Sequence, residues 1–170
     1  IPLRLVGSEM CIRDRDKAQD YIQELSRVLR YTLQSNESQN VSLREEMEFA
    51  SAYIFLLKMR FENNLQFDIQ IAKSFEDYRL PPMAVQVLIE NAVKHNEISD
   101  RKPLTIHIVT NNEGYLSVSN DIQPKRTAAS GTGIGLVNLA KRYRLLFKQD
   151  IQITEDKEFS VCIPLIDEVQ

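Results

Sequence analysis

Asn91, Lys94 and His95 lie three and four residues apart, so a helix would carry their side chains on one face. An amide oxygen, an ammonium and an imidazole gathered there suit a divalent metal and the phosphates of a nucleotide. The other face supplies a reason for the helix to exist: Val85, Leu88, Ile89 and Ala92 recur at helical spacing. Taken alone, the polar face reads equally well as an ordinary solvated surface. A second stretch, Gly131-Thr132-Gly133-Ile134-Gly135, stands directly before a helical pattern over residues 136–147. Glycines there let backbone N–H groups approach an anion, and a helix N-terminus adds positive potential. The stretch is not a Walker A loop, because no Gly-Lys-Ser/Thr follows. Nor is it a dinucleotide fingerprint, because no parallel βαβ unit surrounds it. Glycines before a helix are also common as a mere lead-in.

These groups need elements to hold them. Residues 16–33 carry Ala18, Tyr21, Ile22, Leu25, Val28, Leu29 and Leu33 at helical spacing, and the polar stretch 34–40 reads as a loop. Ser42 with Glu45 forms a capping-box pattern opening a helix to about Phe61. Residues 65–71 alternate as a strand, and residues 72–79 connect. Pro82 suits the first turn of the helix that reaches His95 or Asn96. A hairpin follows, with strands 104–110 and 115–120, then a polar loop over 121–130. After the glycine stretch and its helix, strands 151–154 and 159–165 close the chain. Hairpins outnumber crossovers, so the expected class is α+β, with helices on one face of a mixed, mostly antiparallel sheet.

Composition sets limits. Of 170 residues, 43% are hydrophobic and 26% charged, with a net charge of -3, which disfavours a direct nucleic-acid binder. Cys11 and Cys162 form neither a disulfide framework nor a zinc pattern. No apolar run approaches the ~20 residues of a membrane span. Residues 1–15 have no amphipathic period, and residues 5–15, LVGSEMCIRDR, resemble a translated sequencing adapter. They are expected to be a non-native tail and are set aside.

In combination the motifs are more specific. An ENAVKH helix, a hairpin, a polar loop and then GTGIGLVNL, in that order, resemble the Bergerat ATP-binding fold of gyrase and the sensor histidine kinases. The first motif matches its N box and the second its glycine box, which implies a two-layer α/β sandwich. ATP-hydrolysing members place a glutamate four residues before the N-box asparagine, as base for the attacking water. Here Val87 stands there and cannot take a proton. Lys94 replaces the aspartate that those members often carry. The sequences DKAQDYIQELSRVLRYTL and VSLREEMEFASAYIFLLKMRF resemble the LytS/YehU-type sensor histidine kinases. The likeness divides the chain into residues 16–40, a remnant of the dimerisation and phosphoacceptor region, and residues 41–170, the ATP-binding catalytic domain.

The resemblance implies roles. Asn91 would hold Mg2+, Lys94 would meet the ATP phosphates, His95 would lie by ribose or phosphate, and Glu90 would orient metal-bound water. Gly131, Gly133 and Gly135 would close on the phosphates, with Thr132 offering a hydroxyl and Leu136 beside the nucleotide; Asn138 and Arg142 would border the site. It further implies a homodimer and a response-regulator partner, of the LytTR type in many relatives. The chain would be a cytoplasmic domain, tied to the bacterial inner membrane only through segments outside it. Two departures stand out. Where the family has D-x-G-x-G, this chain has Val118-Ser119-Asn120-Asp121-Ile122, so Asn120, or Asp121 after a one-residue shift, would read adenine. The N-P-H-F-L-F-N phosphoacceptor motif is absent, and the only histidines are His95 and His107, the latter expected at the surface or on an edge strand. Truncation at the suspect tail accounts for the missing motif. The alternative is a non-catalytic signalling module that keeps the fold with weakened ATP binding.

Overall fold

The computed structural model describes residues 15–35, 38–126 and 133–168. Helices α1 (Arg15–Ser35), α2 (Leu43–Phe61), α3 (Ala84–His95) and α4 (Ile134–Phe147) alternate with seven strands. These are β1 (Val41–Ser42), β2 (Leu65–Gln70), β3 (Arg79–Leu80), β4 (Leu104–Thr110), β5 (Tyr115–Asp121), β6 (Gln152–Glu155) and β7 (Glu158–Pro164). The main sheet runs β2-β4-β5-β7-β6, with β2 parallel to β4 and every other pair antiparallel. The sheet is therefore mixed and mostly antiparallel, as expected. None of the described helices is long and apolar enough to cross a membrane.

Strand alternation makes the sheet one-sided. Leu104, Ile106 and Ile108 of β4, Leu116 and Val118 of β5, and Val161 and Ile163 of β7 are buried under the helices. The helices answer with Ala50, Ile54 and Leu57 of α2, Val85, Leu88 and Ile89 of α3, and Leu139 and Tyr143 of α4. On the opposite face Asp68, His107, Ser119, Ser160 and Thr154 stand in register across all five strands. His107 thus lies on an interior strand rather than an edge. Its acidic partner, Asp68, arrives through the parallel register, with Nδ1 3.1 Å from Oδ2. Sequence proximity could not show that partner, since 39 residues separate the pair.

Besides shifts of one or two residues at several strand ends and at the start of α4, three departures from the sequence reading bear on the site. Helix α1 continues to Ser35, two residues into the presumed loop. The pair β1–β3 is a two-residue ladder, Val41 with Leu80 and Ser42 with Arg79, too short for alternation to reveal. Leu80 precedes Pro81, whose ring disfavours helix at the residue before it and so supports the extended form. Finally, Pro82 does not sit in the first turn of α3. Met83 is the N-cap, left-handed at φ 65 and ψ 13, and makes no side-chain cap bond. The cap comes from another helix: Glu46 of α2 accepts from Met83 N and Val85 N, each at 2.9 Å.

Helix α1 stacks Tyr31 on Phe49 of α2, with ring centroids 4.2 Å apart. Its outer stripe is bare, with Ile22 63%, Leu29 57% and Leu33 72% exposed.

Helix α2 has the full capping box foreseen from sequence, Ser42 and Glu45 each bonding the other's backbone N–H. Those bonds, the Ser42 backbone N–H first, hold the Glu45 carboxyl below its ordinary 4.5. A carboxyl depressed in the folded state stabilises above its unfolded value, and the contribution fades as pH falls through the folded value. Ser42→Ala should therefore cost about 1 kcal/mol at neutral pH. Urea titrations should show the gap from the parent chain narrowing as pH drops below 4.5; a constant gap would contradict the capping account.

Candidate functional site

Helix α3 buries Val85, Leu88, Ile89 and Ala92 against the sheet, which leaves its other face looking toward the start of α4. Two cavities lie there. The larger, about 630 Å³, is walled by Ile122, Pro124, Val137, Ala140 and Phe159, with Lys141, Arg144 and Glu155 also on its lining. The smaller, about 130 Å³, is lined by Val87, Glu90, Lys94, Ile134 and Gly135. Asn91, His95, Gly133 and Leu136 line both and so form the waist between them. The sequence-derived residues Glu90, Asn91, Lys94, His95, Gly133, Gly135 and Leu136 are thus brought together. Gly131 and Thr132 lie outside the described residues.

The two chambers differ in chemistry. The larger is a mainly apolar slot with two buried amides in its wall, Asn96 and Asn120, a shape and polarity suited to a flat heteroaromatic ring. Asn96 has both its amide groups bonded within the chain, whereas Asn120 is 2% exposed on the core-facing side of β5. Its Nδ2 donates to the Asp121 carbonyl at 2.7 Å, and no described residue donates to its Oδ1. An acceptor is therefore left for a ligand amine. Asp121 follows on the alternate face, is exposed, and does not line the chamber. The pleat, which sends successive side chains to opposite faces, separates these two candidates.

The smaller chamber sits at the N-terminus of α4. Gly133, the N-cap, is left-handed at φ 60 and makes no side-chain cap bond. The first N–H groups of a helix have no intrahelical acceptor and carry positive potential. With the Lys94 ammonium nearby, this end favours an anion. Among the described residues no group of three or more His, Cys, Asp or Glu could hold a metal. A cation here would need the Asn91 oxygen together with oxygens brought by the ligand, which fits a hard ion such as Mg2+. Burial, with the Glu90 charge next, pushes the Tyr53 hydroxyl up to about 12.

Several contributors were not foreseen. Asn96, 5% exposed, closes α3 by donating from Nδ2 to the Ala92 carbonyl at 2.8 Å. Its Oδ1 accepts from Gln123 N at 2.6 Å, and Lys125 N reaches the His95 carbonyl at 3.3 Å. These bonds pin Ile122 and Pro124 against the larger chamber. Val87 meets Gly135 across the helix pair, where an added Cβ would lie 3.4 Å from Val87 Cγ1. Two expected border residues lie elsewhere. Asn138 is exposed and lines neither chamber. Arg142 turns away and donates from Nη1 to the Pro82 carbonyl at 2.9 Å, a part-buried bond across 60 residues that helical spacing alone cannot show.

Comparison with known proteins gives a consistent result. Residues 3–65 match the family model described as histidine kinase, a match that begins inside the segment set aside above. Sensor protein LytS of Streptococcus mutans is 34% identical over 159 residues, covering 84% of this chain and 27% of that protein. Sensor histidine kinase BtsS of Escherichia coli is 29% identical over 145 residues, covering 84% and 26%. The chain spans about a quarter of the length of these curated relatives. The nucleotide-free catalytic domain of histidine kinase ThkA superposes with a TM-score of 0.52 at 18% identity, covering 75% of this chain and 99% of that domain. That likeness shows the shared fold.

The Val87–Gly135 contact makes a test of the helix pair. Gly135→Val should overpack the contact and cost about 1–3 kcal/mol. Val87→Ala in the same chain should recover part of that loss, read as a double-mutant coupling in urea unfolding. Additive losses would show that the contact is not what sets the spacing of α3 and α4.

Proposed function

The chain belongs to the LytS-type sensor histidine kinases, and on that premise we propose that it is the part that binds Mg-ATP and presents the γ-phosphate to a histidine. From that histidine the phosphate passes to a response-regulator aspartate. The observation that carries this reading is the waist at Asn91, with an apolar chamber on one side and a helix N-terminus with Lys94 on the other. A nucleotide laid across it would put its base by Asn120 and its phosphates by Gly133 and Gly135. The Asn120 Oδ1 would accept from the adenine amine. Asn91 would hold the magnesium ion between the phosphates, Glu90 would orient its water, and His95 would lie beside the ribose or phosphate. The ion would draw charge off the phosphates, and the residues would position the γ-phosphate for in-line transfer.

Val87 supports transfer over hydrolysis. A glutamate at this position would activate water, whereas the isopropyl group of Val87 cannot take a proton from it. The phosphoacceptor histidine would come from a segment outside this chain, whose only histidines, His95 and His107, match no phosphoacceptor motif. The bare stripe Ile22, Leu25, Leu29 and Leu33 on α1 would be covered by a second copy, giving a homodimer. Residues 16–40 would then belong to the dimerisation region and residues 41–170 to the catalytic domain, with residues 1–15 a foreign tail. A LytTR-type regulator is the partner that this family membership favours. The kinase would sit on the cytoplasmic side, held to the membrane by other segments. A second reading, a non-catalytic module, draws on Ile122, an isoleucine at a glycine-box position that forms part of the chamber wall.

Titration with a fluorescent ATP analogue distinguishes the two readings. The parent chain should bind with a magnesium-dependent component, prefer adenine to guanine, and carry no stable label after incubation with labelled ATP. Asn91→Ala should weaken the magnesium-dependent component about tenfold or more, equivalent to about 1.4 kcal/mol, with unfolding unchanged. Absence of magnesium-dependent binding in a folded parent chain would favour the module, and unchanged affinity in Asn91→Ala would remove that residue from the site.

A further inference from the structure

Glu46 is the fully buried carboxylate of α2, and the nucleotide reading leaves it without a task. Its three partners come from two directions. Met83 N gives to Oε2 and Val85 N to Oε1, each at 2.9 Å, so the carboxylate substitutes for the side-chain cap that α3 lacks. Tyr31 Oη of α1 gives to Oε2 at 2.7 Å. The same turn is tied from a third side, where Arg142 of α4 donates to the Pro82 carbonyl at 2.9 Å. Residues 81–83 are therefore a node where α1, α2 and α4 all meet the start of α3.

We propose that Glu46 is a positioning residue for the site, and that its hydrogen bond from Tyr31 couples the position of α1 to the placement of α3 and hence of Asn91. Several features support this. Through Glu46, the bond links α1 to the two N–H groups at the start of α3. Within one chain α1 packs mainly on α2, through the Tyr31–Phe49 stack and the Tyr31–Glu46 bond, so its link to α3 passes through α2. A buried carboxylate left short of a donor is strongly disfavoured, so loss of Tyr31 Oη is felt at the two N–H groups that remain. Burial pushes the Glu46 carboxyl up, opposed by these three donors and the Arg142 charge, which fits a group whose state depends on keeping all of them. Helix α3 is continuous from Ala84 to His95, so a shift at Met83 would carry to Asn91 about two turns on.

The proposal rests on the nucleotide reading for its functional sense, and the test separates the two. Tyr31→Phe keeps the stack on Phe49 and removes only the donor. In the nucleotide-free full chain, hydrogen exchange at Met83 and Val85 should accelerate several-fold, while the amides of β5 and β7 stay unchanged. In the parent chain, Mg-ATP should slow exchange at residues 28–35 of α1, by the reciprocity that coupling requires. Tyr31→Phe should lose that response while still binding. Equal acceleration throughout the sheet, or no change at Met83 and Val85, overturns the proposal by showing a merely structural bond or none. So does a parent chain that binds Mg-ATP with no change in α1. If the parent chain binds no nucleotide, the functional reading fails, and the nucleotide-free comparison still decides the coupling.

Discussion

A carboxylate buried in a protein interior must be given donors or it will not stay there. Glu46 is held by two backbone N–H groups and one hydroxyl, and the geometry of residues 81–83 follows from that need. Met83 adopts a left-handed conformation with its N–H directed at the carboxylate, although most side chains disfavour that region. Helix α3 begins at Ala84, and Asn91 lies about two turns on. One desolvated group thus caps the helix around which the chambers form.

From that point the site follows from the division of one short helix into two faces. The core takes Val85, Leu88, Ile89 and Ala92, so Asn91, Lys94 and His95 must face outward. Helix α4 meets α3 at Gly135, where an added Cβ would come into van der Waals contact with Val87. Between them the two chambers form, apolar toward the sheet and polar toward the start of α4. The Asn96 clamp completes the larger one by fixing the chain that leaves β5. The site is built chiefly at the ends of elements, where backbone groups have no partners of their own.

Most of this architecture was legible in the sequence because it rests on periodicity. The long helices, the hairpin β4–β5 and the capping box at Ser42 all lay within their own segments. The N-box helix and the glycine run announced themselves by residue type and order. What stayed hidden depended on pairs distant along the chain. Asp68 with His107, Arg142 with Pro82, and Glu46 with α3 are each joined only by the fold. Glu46 did leave a trace, as an acidic residue within the stripe of Leu43, Met47 and Ala50, where a solvated glutamate does not belong. Asn120 and Asp121 could not be told apart by motif spacing, and the strand pleat separated them. Asn96 gave no sign beyond standing at the end of its helix.

The polar row across the open face of the sheet, from Asp68 through His107, Ser119 and Ser160 to Thr154, touches neither chamber. Its consequence lies in folding fidelity. Side chains alternate with a period of two, so sliding any interior strand by one residue would drive this row under the helices and turn the leucines and isoleucines outward. Misaligned pairings are thereby penalised at every rung, including those far from Asn120. The hydrophilic side of the sheet acts as a proofreading surface, ensuring that the amide in the chamber wall arrives on the correct side.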